Sequence, residues 1–153
     1  MAHNFNRLKE HLLPLSEAST FDRARNEWEF TYAEYHDDTD HCPCGQVIKE
    51  LCFIRNILNG NETYVGNVCV NRFMKIDTGN LFEGLRRIRE NPDANLNTDL
   101  IEYARKMGYL YGDNEYTFLM NMRSKRKFTA AQSSWKRKIR RRVINGIVVS
   151  KTK

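Results

Sequence analysis

The sequence predicts an α+β fold, in which a small β-hairpin core is followed by a helical C-terminal half. Three observations predict it. Apolar and polar residues alternate from Glu27 to Tyr32, which is typical of a half-buried strand. Two β-rich runs flank the Asn59-Gly60 pair, a hairpin signal because both residues tolerate positive φ. Helical spacing, with caps and stops, then covers most of residues 80–146.

Residues 1–19 are predicted to form an N-terminal helical segment. Phe5, Leu8 and Leu12 recur near helical spacing, and Pro14 provides a stop. Ser19 or Thr20 can then cap a second short helix that begins with "FDRARN".

Residues 20–76 are predicted to form the β-hairpin core, with "HDDTD" at 36–40 as a polar loop. If Asn59-Gly60 is a two-residue turn, counting back along the ladder places Cys52 opposite Asn67, two residues from Cys69. A helix over residues 68–75 would carry Cys69 near its N-terminus.

Residues 77–122 are predicted to be a helical region and residues 123–153 a basic C-terminal helix and tail. Pro92 ends a helix over 80–91, Asn97 or Thr98 caps the next, and Asp113 caps a third over 113–122. Thr129 and Gln132 have capping-box spacing at the start of the basic helix.

The four cysteines indicate a metal site. Absence of a signal-peptide pattern predicts a chain kept in the cytoplasm, where thiols are reduced and available as ligands. Zinc prefers four soft or borderline ligands, such as cysteine and histidine, and usually two come from a tight turn and two from a second element. Cys42 and Cys44 can form the turn and Cys69 is a third ligand. The fourth is either Cys52, favoured slightly by the predicted register, or His41.

The stretch "HCPCGQVIKELCFIRNILNGNETYVGNVCVNRF" resembles a small zinc-finger module of poorly characterised bacterial, plasmid and phage proteins. The resemblance implies a treble-clef-like zinc fold and a mobile-element origin, hence host cytoplasm if the chain is phage-encoded. Many relatives carry a His two residues after the second Cys, where this chain has Gln46. "FDRARNEWEF" and "KRKFTAAQSSWKRKIRRRV" resemble segments that accompany the module. The matching positions are Cys42, Cys44, Gly45, Asn56, Val65, Gly66, Cys69 and Phe73.

Charge is distributed unevenly along the chain. Residues 1–122 carry 13 Lys/Arg and all 19 Asp/Glu, whereas residues 123–153 carry 12 Lys/Arg and no acid. An acid-free basic run of this length favours an anionic partner, so we expect binding to nucleic acid, with DNA as the first expectation. The alternative is a phage- or plasmid-type effector that binds and inhibits or redirects a host protein. The expected nucleic-acid contacts are Arg123, Lys125, Arg126, Lys127, Lys136, Arg137, Lys138, Arg140, Arg141 and Arg142.

Sequence motifs do not indicate catalysis. There is no P-loop, G-x-G-x-x-G, G-x-S-x-G or H-E-x-x-H. The acidic run Asp37, Asp38 and Asp40 is interpreted as a hydrophilic loop rather than a magnesium site. No apolar run approaches the ~20 residues of a membrane span. We therefore expect a non-catalytic protein with no membrane partner and no small-molecule substrate.

Overall fold

The computed structural model describes the backbone of residues 2–150 and the side chains of residues 4–150. It combines helices with one three-stranded antiparallel sheet, which confirms the α+β class. The chain divides into two compact units, Met1–Thr78 and Gly79–Lys153. Residues 151–153 of the predicted basic tail lie outside the described part.

The first unit contains the whole sheet, in the strand order β1-β2-β3. The N-terminal helix and the stop at Pro14 are confirmed, although the second helix has only four residues before a 3-10 turn. In chain order the elements are α1 (Ala2–Leu12), a 3-10 turn (Leu13–Leu15), α2 (Phe21–Ala24), a second 3-10 turn (Arg25–Glu27), β1 (Trp28–His41), β2 (Val47–Asn56), β3 (Glu62–Gly66) and α3 (Asn67–Arg72).

The acidic stretch 36–40 is not a free loop, contrary to the prediction. It belongs to β1, which pairs with β2 at Tyr35 and again at Asp40, with an irregular register between them. His36 is bonded across this bulge, because its Nδ1 lies 2.5 Å from Asp40 Oδ2 and its Nε2 lies 3.1 Å from Glu34 Oε2. Local imidazole–carboxylate bonds thus allow an acidic segment to continue as strand.

The hairpin turn is longer than the predicted two residues. Asn56 closes the loop by donating its N–H to Asn61 O at 2.8 Å. Its side-chain Oδ1 also accepts the N–H groups of Leu58 (2.8 Å) and Asn59 (3.3 Å). Gly60, at φ +78°, completes the reversal. The register is therefore shifted, and Cys52 pairs with Val65 rather than with Asn67.

A buried carboxylate ties this turn to the N-terminal segment. Glu27 was predicted to alternate outward, but it is only 6 % exposed. Its carboxylate accepts the Asn56 side-chain amide at 2.9 Å and the N–H groups of Glu17 and Ala18 at 2.8 Å each. Burying a carboxylate is tolerated because every oxygen is hydrogen-bonded.

The second unit is entirely helical among the described residues. Two predicted caps are confirmed: Asn97 Oδ1 accepts Leu100 N–H, and Thr129 forms a capping box with Gln132. Asp113 is not a cap, because the helix begins earlier and Tyr111 occupies the N-cap position. The helices are α4 (Leu81–Glu90), α5 (Thr98–Met107), α6 (Gly112–Met122) and α7 (Ala130–Asn145).

Each unit has its own set of buried apolar side chains. Leu8, Leu12, Ile54, Val65 and Val70 are at most 1 % exposed in the first unit. In the second unit the most deeply buried apolar side chains are Ile88, Leu96, Leu100, Ile101, Ala104, Leu119 and Ile139.

Within the described residues, no helix is long and apolar enough to cross a bilayer.

Candidate metal centre and basic surface

A tight turn holds two of the predicted thiol ligands. Cys42 N–H donates to Gln46 O at 2.9 Å, and Gly45 N–H donates to Cys42 O at 2.7 Å. Gly45 adopts φ +99°, a conformation that side chains rarely allow, and a Cβ there would overlap the Arg7 guanidinium. Closing the turn buries the side chains of both Cys42 and Cys44.

The third thiol comes from the strand-to-helix junction after the hairpin. Cys69 lies in the first turn of α3, directly after β3 ends at Gly66. Gly66 allows this junction to approach the turn, because a Cβ there would lie 3.0 Å from Ile48 Cγ2 and 3.7 Å from Cys42 Cβ. Its N–H also points at Cys42 Sγ, at 3.2 Å.

The three sulfur atoms fit a metal ion. Cys42, Cys44 and Cys69 offer Sγ atoms that all lie within 4.8 Å of one another, and all three residues are buried. The Sγ atoms of Cys42 and Cys69 are 3.5 Å apart. Tetrahedral zinc with bonds of about 2.3 Å requires sulfur atoms about 3.8 Å apart. The arrangement therefore suits a thiophilic, tetrahedral ion with little movement.

Thiol ionisation is strongly perturbed at this cluster. The hydrogen bond from the Cys69 thiol, helped by the Gly66 N–H, lowers the pKa of Cys42 to about 6. The same bond raises the pKa of Cys69, because this thiol is the donor and its own ionisation would face a neighbouring thiolate. A thiolate is the ligand form of cysteine, so one ligand is already prepared for metal.

Cys52, the slightly favoured fourth ligand, does not belong to the cluster. It lies in the middle strand, paired with Ala33 on one side and Val65 on the other, and is 0 % exposed. Burial raises the pKa of its thiol, as expected for an inert core cysteine. The misassigned hairpin register had brought it too close to Cys69.

His41, the alternative fourth ligand, also lies outside the cluster. Its side chain is exposed, and its backbone carbonyl accepts the Tyr64 hydroxyl at 3.2 Å. Among the described residues the cluster consists of three thiols. Sequence reasoning placed these three together from a predicted turn and a predicted strand-to-helix junction, and it added Cys52 from the hairpin register.

The predicted nucleic-acid contacts divide into two groups. Half of them bond to groups of the second unit itself. Lys136 is 1 % exposed, and its Nζ donates to Asp93 O at 2.5 Å and to Asn95 Oδ1 at 2.9 Å. Arg140 donates to Ile88 O at 2.6 Å, at the C-terminal turn of α4, where carbonyls lack helical partners.

The remaining internally bonded cations are Arg142, Arg137 and Arg123. Arg142 forms a buried pair with Glu115 at 2.7 and 2.8 Å. Arg137 pairs with Asp93 on the surface at 2.8 Å. Arg123 donates to Thr98 Oγ1 at 2.8 Å. These cations hold helices and loops together, which sequence could not reveal because their partners lie 25 to 44 positions away.

Trp135 is also part of the packed interior of this unit. Its ring stacks on Phe118 with centroids 4.1 Å apart, and its Nε1 donates to Glu115 Oε2 at 2.7 Å. Trp135 therefore has a packing role in this unit rather than a role in stacking on a base.

The other five predicted contacts are exposed, and their side chains make no hydrogen bond or ion pair within the described residues. Lys138 and Arg141 are three residues apart on α7, so they lie on one helix face. The others precede α7 in a segment with no regular structure. The five are Lys125, Arg126, Lys127, Lys138 and Arg141.

Fold and cluster together define an α+β protein with a buried three-cysteine site suited to a metal. Comparison with protein-family models, curated proteins and solved structures finds no match to this chain. Functional conclusions therefore rest on the geometry of the two sites.

Proposed function

We propose that this chain is a non-catalytic zinc protein that binds nucleic acid through exposed cations of its second unit. The observation that carries the proposal is the group of five exposed, internally unbonded cations within the described residues, Lys125, Arg126, Lys127, Lys138 and Arg141. Residues 79–153 hold 17 Lys/Arg against 7 Asp/Glu, so this excess positive charge lacks compensation within the unit. A polyanion relieves it by releasing counterions.

Zinc in this proposal has a structural role. Cys42, Cys44 and Cys69 hold the ion, linking the turn, the hairpin and α3 in a treble-clef-like arrangement. His41 or a water molecule supplies the fourth ligand, since His41 adjoins Cys42 and is exposed, whereas moving Cys52 would require the central strand to shift. X-ray absorption should then give three sulfur ligands and one nitrogen or oxygen ligand per zinc.

The bulge of β1 supports a non-catalytic role. His36 there is bonded to both Asp40 and Glu34, so these groups are engaged with each other. Hydrogen bonds to Asp40 and then Glu34 raise the pKa of His36, so both carboxylates already have a partner and are not free ligands for a divalent metal ion. We expect no cleavage of DNA or RNA with magnesium or manganese.

The salt dependence of binding tests the function. For wild type, the logarithm of the association constant with duplex DNA should fall steeply with the logarithm of salt concentration. The Lys138→Ala/Arg141→Ala variant should make that slope shallower by about 2, since each neutralised phosphate contributes about 0.9. Zinc content should not change.

A matched control separates local contacts from net charge. Arg87→Ala/Arg105→Ala removes the same charge from the same unit, at exposed residues already paired with Glu83 and Asp113. It should change the slope by less than half as much. Equal effects of the two double variants, or no binding by wild type at low salt, would remove this surface from the proposal. The same assay with duplex RNA compares the two nucleic acids.

Two exposed apolar residues favour the effector alternative as a second candidate. Ile57 and Leu58 are 54 % and 64 % exposed in a turn that Asn56 holds rigid. Adjacent exposed apolar side chains of this kind can contact another protein. An Ile57→Ser/Leu58→Ser variant that loses a purified, stoichiometric partner while keeping nucleic-acid binding would favour this candidate.

A further inference from the structure

A surface groove of the first unit lies beside the cysteine cluster and is independent of the basic surface. It is about 580 Å³, within the roughly 300–1,000 Å³ range of small-ligand sites. Its lining includes Cys42 and the turn after it, but also side chains from α1 and β3. Those that can donate hydrogen bonds are Arg7, His11, His41, Thr63 and Tyr64.

The charge of the groove lining differs in sign from the charge of the first unit as a whole. Residues 1–78 hold 8 Lys/Arg against 12 Asp/Glu, so the first unit is acidic overall. Yet no Asp or Glu lines the groove within the described part of the chain, and Cys42, a proposed zinc ligand, is its one readily ionised acid. A set of donors without carboxylates in an acidic unit is a local feature rather than part of a general basic surface.

Arg7 supplies the permanent charge of the groove. Its guanidinium lies against Gly45, where an added Cβ would come within 2.1 Å of one of its nitrogen atoms. Its side chain forms no ion pair or hydrogen bond with the described residues. The guanidinium is therefore available to a phosphate, to which an arginine can donate two parallel hydrogen bonds.

His11 and Thr63 also line the groove and are hydrogen-bonded to each other. His11 Nε2 lies 2.8 Å from Thr63 Oγ1, which links α1 to β3. Burial lowers the pKa of His11, which favours the neutral imidazole. The hydrogen bond between His11 and Thr63 uses one of their two protons, so the pair keeps one neutral donor for a ligand. A charged arginine together with one oriented neutral donor can bind an oxyanion.

We propose that this groove binds a phosphate group, held by the Arg7 fork and oriented by the one donor that the hydrogen-bonded pair His11–Thr63 keeps free. The group is either a free phosphate or a phosphate of a nucleic-acid strand, since both present the same oxygens. This inference does not require the nucleic-acid function proposed above, because the groove and the exposed cations belong to different units.

Amide NMR of the zinc-loaded chain tests the proposal with inorganic phosphate, and with sulfate as a second oxyanion, at constant ionic strength. We expect saturable shifts at the amides of Gly45, Thr63 and Tyr64. Arg7→Gln should weaken phosphate binding by about tenfold or more. Lys9→Gln is the control: it removes the same charge from the same helix, outside this groove, and should change the affinity less than about twofold.

Since Arg7 contacts the cysteine turn, zinc content and amide dispersion are checked for each variant. If Arg7→Gln loses zinc, His11→Gln provides the second test and should weaken binding by several fold while zinc is retained. Absence of saturable shifts in wild type, or unchanged affinity in the folded variants, would overturn the proposal.

Oligonucleotides distinguish the two sources. A strand that shifts the same amides and competes with inorganic phosphate, with or without a 5′-phosphate, identifies the phosphate backbone as the ligand. Competition only by the 5′-phosphorylated strand, or by neither strand, identifies a phosphate monoester or free phosphate. In every arm, Lys138→Ala/Arg141→Ala should leave inorganic phosphate binding unchanged, so failure here and failure of the basic surface are separable.

Discussion

The cysteine cluster of the first unit and the basic helix of the second were both expected from local sequence. The local sequence located most of the thiol cluster, but it did not show which cations are bonded within their own unit. Three of the four thiols converge, because a five-residue turn and a strand-to-helix junction place them. Of the ten expected cations, five are bonded inside their own unit. A ligand position follows from nearby backbone, whereas the role of a charged side chain depends on distant partners.

The largest expected effect distinguishes a thiol inside the cluster from a thiol outside it. Cys69→Ala should lose zinc and unfold the first unit, because metal binding contributes on the order of 10 kcal/mol in small zinc domains, similar to a whole domain's stability. Cys52→Ala should retain one zinc and cost about 1 kcal/mol for a small cavity. Elemental analysis and thermal unfolding measure both.

The reverse result would be decisive. If Cys52→Ala lost zinc while Cys69→Ala kept it, the observed β2–β3 register would not represent the metal-bound protein. A folded wild-type sample without any metal would remove the zinc proposal altogether.

A buried and an exposed ion pair of the second unit test the role of internal cations. Side chains of Glu115 and Arg142 are 6 % and 11 % exposed, whereas those of Asp93 and Arg137 are 57 % and 58 % exposed. Glu115→Gln leaves the guanidinium without its counter-charge and should cost about 3–5 kcal/mol. Asp93→Asn should cost at most about 1 kcal/mol. Urea unfolding gives both values.

The same pair gives a pH dependence. Burial alone would raise the pKa of Glu115, but hydrogen bonds from Arg142, the Tyr111 N–H and Trp135 outweigh it and lower the pKa. Because the pKa of Glu115 is lower in the folded state than in the unfolded state, where it is about 4.3, the charged carboxylate stabilises the fold at higher pH. This stabilisation is lost as the pH falls through the folded-state pKa. Wild type should therefore lose stability below about pH 4 more steeply than Glu115→Gln. Parallel acid profiles would argue against a charged Glu115.

The smallest of the three effects separates two lysines on one helix. The buried side chain of Lys136 donates hydrogen bonds to Asp93 O and Asn95, and its Nζ lies 3.6 Å from the centre of the Phe128 ring. Lys136→Ala removes these contacts and should lower the free energy of unfolding by about 2–4 kcal/mol. Lys138→Ala should change stability by less than about 0.5 kcal/mol and weaken nucleic-acid binding instead. Equal stability losses would mean that both lysines are structural.

Much of the fold could be predicted because its signals are local. Pro14, the Thr129–Gln132 capping box and the alternation after Glu27 each act within a few residues. The turn register could not be read from Asn59-Gly60, since the side chain of Asn56 binds two loop amides and a carboxylate 29 positions earlier.

The site divides in the same way. Spacing identified Cys42, Cys44 and Cys69, but counting along a wrong register added Cys52. Arg7 and His11 gave no signal, because nothing in an amphipathic helix indicates that it will pass beside a turn 38 residues later. Lengthening the predicted turn by two residues would have been enough to place Cys52 opposite Val65.

The anchoring of α7 has a kinetic consequence. Its start is fixed by the Thr129–Gln132 box, and its flank by Lys136, Arg140 and Arg142. Lys138 and Arg141 are thus presented on a helix that exists before any ligand arrives. Association through these two side chains then requires no folding of the helix, so its rate should be governed by long-range attraction and its heat-capacity change should be small. The internally bonded cations Lys136, Arg140 and Arg142 would thus affect the association rate indirectly, by keeping Lys138 and Arg141 in place on a folded helix.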